Sequence, residues 1–517
     1  MRAINGKEAK DLDLWAIEQI GIPRAALMEA AGREVADVVI SNVNRQCKIV
    51  LVAGPGNNGG DGFVCARHLK SAGHNIEAFL LGKIQDVAGE ARTNLEIAKK
   101  LGIDIVEIDK DKDLKLLKQS LNSAHIVIDA IFGTGFSRGI EGLQAKVVAL
   151  INDGKKSASY RTVSVDVPSG LDSSTGKVGK HCINSDLTVT FAYPKIGLLE
   201  YPGSEFAGKV IVVDIGIPKQ NPLFPKSEVP KRPAKSSDIN IIDSSFVLKI
   251  IPQRKASSHK GTYGNVFILG GSPGMTGALT MSARGALRSG AGLVRIGLPE
   301  GLRNITDAMS PETITIGLKQ TKEGTLSTTA LADIIKYYKK SQAFAIGPGL
   351  SENKETQELV RSFITKVKKT KGGAPLIIDA DALNALSDNI SILKNSMIPI
   401  IITPHPGETA RITKKNTSEI QKKRTEVAKS LSKKLGIITV LKGAYTVISS
   451  PKGDIFVNVT GNPGMATAGM GDALTGAISA LAAQGVSPID SAIAGVYIHG
   501  LAGDIAAKLK GEYGLIT

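Results

Sequence analysis

Lys48-Ile-Val-Leu-Val-Ala53, then Gly54-Pro-Gly-Asn-Asn-Gly-Gly-Asp-Gly62, then the helix-like run from Phe63 to Ala72 set the reading of the first half of the chain. An unbroken aliphatic run with no polar alternation reads as a strand buried on both faces. A glycine-rich loop between such a strand and a helix is the connection found in parallel α/β sheets. Glycine there lets main-chain N–H groups close on an anion, and the following helix adds its unpaired first-turn donors and positive dipole end. The loop matches neither Gly-x-Gly-x-x-Gly nor the P-loop pattern with its Lys-Ser/Thr ending, so an ordinary dinucleotide dehydrogenase or P-loop NTPase is disfavoured.

Working outward, a second loop of the same character lies at residues 461–476, Gly-Asn-Pro-Gly-Met-Ala-Thr-Ala-Gly-Met-Gly-Asp-Ala-Leu-Thr-Gly, and runs into another apolar, helix-like stretch. A phosphate fits such a loop. Its one carboxylate, Asp472, would be repelled by bound phosphate unless it holds a metal or takes a proton from substrate, and it reads as a catalytic base. Between and around the loops, short β-branched runs alternate with helix-period stretches, the pattern of parallel sheets covered by helices. Strands are expected at 48–53, 76–81, 125–129, 161–165, 187–192 and 209–213, and then at 264–269, 293–298, 343–346, 375–379, 399–403, 438–441 and 446–450. The Pro- and Lys-rich stretch from Gly216 to Lys235 has no apolar periodicity and reads as a linker. The expected organisation is a domain at 1–217, a linker at 218–236 and a domain at 237–517, which suits a chain of 517 residues.

The formal net charge of +16 invites a nucleic-acid reading, but aromatics are only 4% and are not interleaved with the basic residues. Runs such as Lys366 to Lys371 read as solvated faces, and no nucleic-acid partner is expected. A basic field still favours polyanionic small substrates. Three cysteines without paired spacing, Cys47, Cys65 and Cys182, give neither a disulfide framework nor a zinc site. The start of the chain lacks a signal-peptide core and no apolar run is long enough to span a bilayer, so the protein is expected to be cytoplasmic, with no membrane partner.

In the first half, three strand ends carry polar groups: Asn57-Asn-Gly-Gly-Asp-Gly62, Asp129 with Gly133-Thr-Gly-Phe-Ser-Arg-Gly139, and Asp166-Val-Pro-Ser-Gly170. Asn, Asp and Ser oxygens beside glycine-rich backbone suit a diphosphate and a hard, oxygen-liganded cation, although Asp129 alone reads equally as a helix cap and Pro168-Ser-Gly170 as a turn. Together with Leu27-Met-Glu-Ala-Ala-Gly32, these segments resemble the NAD(P)H-hydrate epimerase family over about 210 residues in order. The resemblance implies a Rossmann-like three-layer sandwich that interconverts the C6-hydroxyl epimers of a hydrated reduced nicotinamide dinucleotide. It implies a potassium site at Asn58, Asp129 and Ser169. Substrate contacts would come from Asn57, Asn58, Gly59, Gly60, Asp61, Gly133, Thr134, Gly135, Phe136, Ser137, Arg138, Gly139 and Asp166. Epimerisation needs proton transfer at the C6 oxygen, and Asp166 is the expected catalytic carboxylate, with Asp61 in reserve.

In the second half the polar strand ends are Gly347-Pro-Gly-Leu350, Asp379-Ala-Asp381, Thr403-Pro-His-Pro-Gly-Glu408, Lys442-Gly-Ala-Tyr-Thr446 and residues 461–476. With Lys260-Gly-Thr-Tyr-Gly264 and Gly270-Gly-Ser-Pro-Gly-Met-Thr-Gly-Ala278, their order resembles the ADP- or ATP-dependent NAD(P)H-hydrate dehydratases, a branch of the ribokinase-like α/β fold. In that chemistry a nucleotide phosphorylates the C6 hydroxyl and loss of phosphate restores the 5,6 double bond. The resemblance implies Mg²⁺ with ADP or ATP. It makes Asp472 the base and implies dinucleotide contacts from Gly349, His405, Pro406, Gly407, Glu408 and Asp472. Nucleotide contacts would come from Lys442, Gly443, Ala444, Tyr445, Thr446, Asn462, Pro463, Gly464, Met465, Ala466, Thr467, Ala468, Gly469, Met470 and Gly471. Position 470 is Met where related loops carry Ser or Thr, which removes a hydroxyl and keeps the amide. Glu408 reads either as a Mg²⁺ ligand through water or as a helix cap, and Asp379 and Asp381 read as structural or as supports behind the site.

The substrates implied are NADHX and NADPHX, and a homo-oligomer is expected. Two rivals differ in class: a ribokinase-like kinase that phosphorylates a small alcohol or vitamin precursor and stops, and a binding or scaffold role for the first domain. Release of NAD(P)H rather than a phosphate ester excludes the first. The complete Asn58, Asp129 and Ser169 set argues against the second.

Overall fold

The computed structural model describes residues 1–43, 46–135, 139–158, 160–218 and 239–517. Phe136, Ser137 and Arg138 of the expected site lie outside the described residues, as does the expected linker from residue 219 onward. The chain divides into two compact units, Arg2–Glu228 and Val229–Thr517.

The first unit is built on β1 (Lys48–Ala53), β2 (Asn75–Leu81), β3 (Asp104–Ile108), β4 (Ile126–Ala130), β5 (Arg161–Val165), β6 (Leu187–Phe191) and β7 (Lys209–Val213). They form one parallel sheet in the order β3-β2-β1-β4-β5-β6-β7, in which the chain reverses direction between β1 and β4. That is the doubly wound Rossmann-like order, with a ligand crevice expected at the reversal. Alternate residues serve the two faces. Ile49, Leu51 and Ala53 join one core with Leu12, Leu27, Val35 and Phe63, whereas Val50 and Val52 join another with Leu117, Val148 and Ile151. The sheet is therefore the middle of three layers.

The second unit contains β8 (Ile239–Ile242), β9 (Asn265–Leu269), β10 (Leu293–Pro299), β11 (Ile314–Leu318), β12 (Ala343–Ile346), β13 (Leu376–Ile378), β14 (Ile400–Ile402), β15 (Ile438–Leu441), β16 (Val447–Ser449) and β17 (Ile455–Asn458). Their order is β11-β10-β9-β12-β13-β14-β15-β16-β17-β8, parallel except where β16 runs against β15 and β17. One face packs Val266, Ile268, Val294 and Ala345 against Ala283, Leu474 and Ile478. On Phe267 and Phe344 stand Tyr337, Tyr338 and Phe363, with the Phe267 and Phe344 ring centroids 5.0 Å apart.

Two sequence expectations need correction. The glycine-rich loop after β1 is shorter than it reads, because the helix begins at Asn57 and runs to Ser71, so Asn57 to Gly62 are its first turns. Those glycines are demanded by packing. A Cβ on Gly59 would lie 1.9 Å from the Gly54 carbonyl oxygen, and one on Gly62 would lie 2.7 Å from Ala130 Cβ. Strands β3, β8, β11 and β17 were not expected. β3, β8 and β11 are edges, and the partly exposed Asp104-Ile-Val-Glu-Ile108 lacks the apolar continuity that marks central strands.

Candidate functional sites

Each unit gathers its chemistry beyond the carboxyl ends of its parallel strands. In the first, Gly56 begins the helix Asn57–Ser71 with no side-chain cap, which leaves first-turn N–H groups available to an anion. At the end of β4, Asp129 is 0% exposed. Its Oδ1 accepts from Ser169 Oγ (2.5 Å) and Ile131 N (3.3 Å), and its Oδ2 accepts from Ser164 Oγ (2.7 Å) and Ser169 N (2.9 Å). Burial raises its pKa against these bonds. No ion pair to Asp129 occurs among the described residues. Asn58 lies against the loop that follows β4, since a Cβ on Gly133 would lie 3.1 Å from Asn58 Oδ1, and Asn58 Nδ2 is buried without a partner. The expected trio of Asn58, Asp129 and Ser169 thus includes a buried carboxylate held only by neutral donors.

Asp166 follows β5 with φ +64°, a left-handed conformation that costs a non-glycine residue strain and turns its side chain across the strand ends. Its Oδ1 accepts from Lys195 Nζ (2.7 Å) and Thr190 Oγ1 (3.0 Å). Lys195 is 2% exposed and also donates to the Phe191 carbonyl (2.9 Å). Two further acids feel this pair. Burial lifts Asp61 well above the carboxylate range, Asp166 and Asp13 lift it further, and Lys195 opposes them. Burial raises Asp13 to about 6, with Lys195 lowering and Asp166 raising it. Sequence reading missed Lys195 and Asp13. The available signal for Lys195 was a lone basic residue in Phe191-Ala-Tyr-Pro-Lys-Ile-Gly-Leu-Leu199, just past a strand end.

In the second unit the helix Met470–Ala483 starts from Gly469, left-handed at φ +89° and without a side-chain cap. Its first-turn donors face the loop, and Asp472 sits in that turn. Burial raises Asp472 to about 7, Asp379, Asp381 and Glu408 add to the rise, and Lys442 opposes it. Asp379, read as structural or as a support behind the site, is 1% exposed, accepts from Lys442 Nζ at 2.7 Å, and accepts from Thr475 Oγ1 at 2.8 Å. It reaches from the end of β13 to the helix that carries Asp472. Asp381 ties the loop after β12, accepting from Ser351 N at 2.9 Å.

Glu408 caps a helix. It forms a capping box with His405 at the start of the helix Pro406–Thr413, and its Oε2 accepts from His405 N at 2.7 Å. The same Oε2 lies 4.0 Å from Lys442 Nζ. Burial raises Glu408 and Lys442 opposes the rise. Burial works against the Lys442 charge, but Asp379 and Glu408 outweigh it and hold its pKa up. His405 Nδ1 accepts from Gly407 N at 3.0 Å, which leaves Nε2–H as the donor of the neutral ring, and burial with the nearby Lys442 charge lowers the ring's pKa. Arg424 was not foreseen; its Nη2 donates to the Leu441 carbonyl (3.1 Å) and the Lys442 carbonyl (3.2 Å), fixing the turn before Gly443. A Cβ on Gly471 would lie 3.2 Å from Lys442 Nζ, so the ammonium stands against the first turn of this helix. Asn462 Oδ1 accepts from Gly464 N at 3.1 Å, within the loop.

Comparison with known proteins follows the same division. Residues 24–197 match the family model described as YjeF-related protein N-terminus, and residues 266–516 match that described as NAD(P)H-hydrate dehydratase. The bifunctional NAD(P)H-hydrate repair enzyme of Moorella thermoacetica is 40% identical over 520 residues, covering 100% of this chain and 94% of its own length. That of Thermofilum pendens is 37% identical over 517 residues, covering 100% and 94%. A solved ADP/ATP-dependent NAD(P)H-hydrate dehydratase from Bacillus subtilis, co-crystallised with ATP/Mg²⁺, aligns with TM-score 0.45 and 33% identity over 54% of this chain and 93% of its own. With full-length identity at this level and both domain families matched in order, the chain belongs to the bifunctional NAD(P)H-hydrate repair enzymes.

Proposed function

We propose that the chain restores hydrated NADH and NADPH in two steps, with residues 1–217 as the epimerase, 218–236 as a linker and 237–517 as the ribokinase-like dehydratase. The observation that carries the reading is Asp472 in an uncapped helix turn beside Lys442 and Asp379, a base and a cation at an anion-binding loop.

In the first unit Asp166 and Asp61 act as a pair. Inversion at C6 proceeds by departure of the hydroxyl and return of water to the opposite face, or by opening and reclosure of the ring, and on either route one group gives a proton and another takes one. Asp61, whose pKa burial raises, supplies the proton, and Asp166, oriented by Lys195, accepts one. Residues 57–61 and 133–139 hold the dinucleotide. The oxygen donors Asn58, Asp129 and Ser169, with a buried carboxylate lacking a cationic partner among the described residues, fit a potassium ion. Bound there, it supplies positive charge that orients the substrate.

In the second unit Asp472 takes the C6 hydroxyl proton while that oxygen receives the terminal phosphoryl group of ADP or ATP. Lys442 and the first-turn amides at 470–471 stabilise the charge on the transferred group. The C6–O bond then breaks with its electrons leaving on phosphate, C5 loses a proton, and the 5,6 double bond re-forms. Gly349 and residues 405–408 contact the dinucleotide, and His405 Nε2–H is the donor offered. Residues 442–446 and 462–471 hold the nucleotide. Mg²⁺ suits this arrangement when it enters with the phosphates and keeps several waters, because it needs only one or two protein carboxylates.

The test mixes the protein with an epimeric mixture of hydrated NADPH, K⁺, Mg²⁺ and ADP or ATP, and follows recovery of NADPH absorbance. Full recovery is expected for the parent, none for Asp472→Asn, and a slow tail for Asp166→Asn and Lys195→Met. No recovery with either nucleotide would overturn the repair reading in favour of kinase activity on another alcohol.

A further inference from the structure

The loop that opens at Gly461 is held from behind by the long helix Pro488–Lys510. Two glycines let the helix approach: a Cβ on Gly500 would lie 2.3 Å from Thr460 Oγ1, and one on Gly503 would lie 2.3 Å from Met465 Sδ. Thr460 Oγ1 donates to the Tyr497 carbonyl at 3.0 Å. Next along the helix, Asp504 accepts from the backbone N–H of Gly461 through Oδ2 at 3.0 Å and from Asn462 Nδ2 through Oδ1 at 3.0 Å.

This carboxylate does two things at once. It fixes Gly461, which sits at φ +106°, where the backbone has no intrinsic preference strong enough to hold it. It also sets which way the Asn462 amide points, because once Nδ2 faces Asp504, Oδ1 faces the Gly464 N–H and begins the short 3₁₀ turn Pro463–Met465. Both donors satisfy the charge at the site where it sits, so it is directed at the loop and away from whatever the loop binds. We propose that Asp504 is a positioning residue for the nucleotide loop: it touches no substrate and holds residues 461–465 in the form that receives the phosphates. The inference rests on the assignment of this loop to the nucleotide made above.

Asp504→Asn keeps the size of the side chain but places an NH₂ group against the Asn462 amide or surrenders the Gly461 bond. ADP binding is measured first on the parent chain by calorimetry. Absence of binding there would remove the loop assignment itself. With the parent binding, Asp504→Asn and Asp504→Ala are each expected to weaken ADP binding tenfold or more and to raise the nucleotide KM by a similar factor. The KM for hydrated NADPH should stay within twofold and kcat within threefold, and Lys508→Ala on the exposed side of the same helix should match the parent. ADP affinity within twofold of the parent in Asp504→Asn would overturn the inference. So would an equal loss for both substrates that tracks a lower melting temperature, which would mark Asp504 as a general support of the fold.

Discussion

Asp472 is useful for the same reason that it is costly. Burial and three neighbouring acids raise it to about 7, so it accepts a proton near neutrality, where an ordinary carboxylate would be a weak base. The dehydratase kcat/KM should therefore fall below pH 7 with a slope approaching one. Because the folded value lies above the unfolded one, near 4, the protonated side chain favours the fold at low pH, and that contribution is lost as pH rises from about 4 through about 7. Asp472→Asn should thus be inactive yet more stable than the parent at pH 8, by on the order of 4 kcal/mol, with the difference vanishing toward pH 4. Urea denaturation at the two pH values measures it, and equal differences at both would contradict the raised pKa. The role proposed for Asp472 is suggested by a single carboxylate in a glycine-rich loop, which the sequence alone displays. Those of Asp379 and Lys195 are not, because each gains its meaning from a partner far away in sequence, at Lys442 or Asp166.

Elements are placed by close approach as much as by apolar pattern. The helices Thr276–Arg288 and Met470–Ala483 meet backbone to backbone: a Cβ on Gly476 would lie 1.9 Å from the Ser282 carbonyl oxygen, and one on Gly285 would lie 2.3 Å from that of Ala473. Gly476 is one turn beyond Asp472, so whatever parts these helices also moves the base. Gly476→Ala should cost about 2 kcal/mol by overpacking and lower dehydratase kcat at least tenfold, leaving epimerase turnover intact. Thermal unfolding together with separate assays of the two activities checks both halves of that statement. The central strands were legible because burial on both faces leaves an unbroken aliphatic run, as in β1, β12 and β15. The extent of the helix after β1 was not, since Asn57-Asn-Gly-Gly-Asp-Gly62 has poor helix propensity and is helical only because the helix must lie against Gly54 and Ala130.

For the whole molecule, two chemistries on one chain imply that product of the first must reach the second. If the epimers exchange through solution, a mixture of Asp166→Asn and Asp472→Asn proteins should convert an epimeric mixture of hydrated NADPH as completely as the parent does. A persistent unreacted fraction in the mixture alone would show that transfer requires both activities on the same chain. The overall charge of +16 favours polyanions, yet the site proposed for the nucleotide gathers Asp379, Glu408 and Asp472 around Lys442. A nucleotide arriving there adds negative charge beside a carboxyl already half-protonated at neutrality, and the least costly response is to draw a further proton from the medium. Calorimetric heats of ADP binding at pH 7 should accordingly depend on the ionisation enthalpy of the buffer, and that dependence should shrink when Asp472 is replaced by Asn.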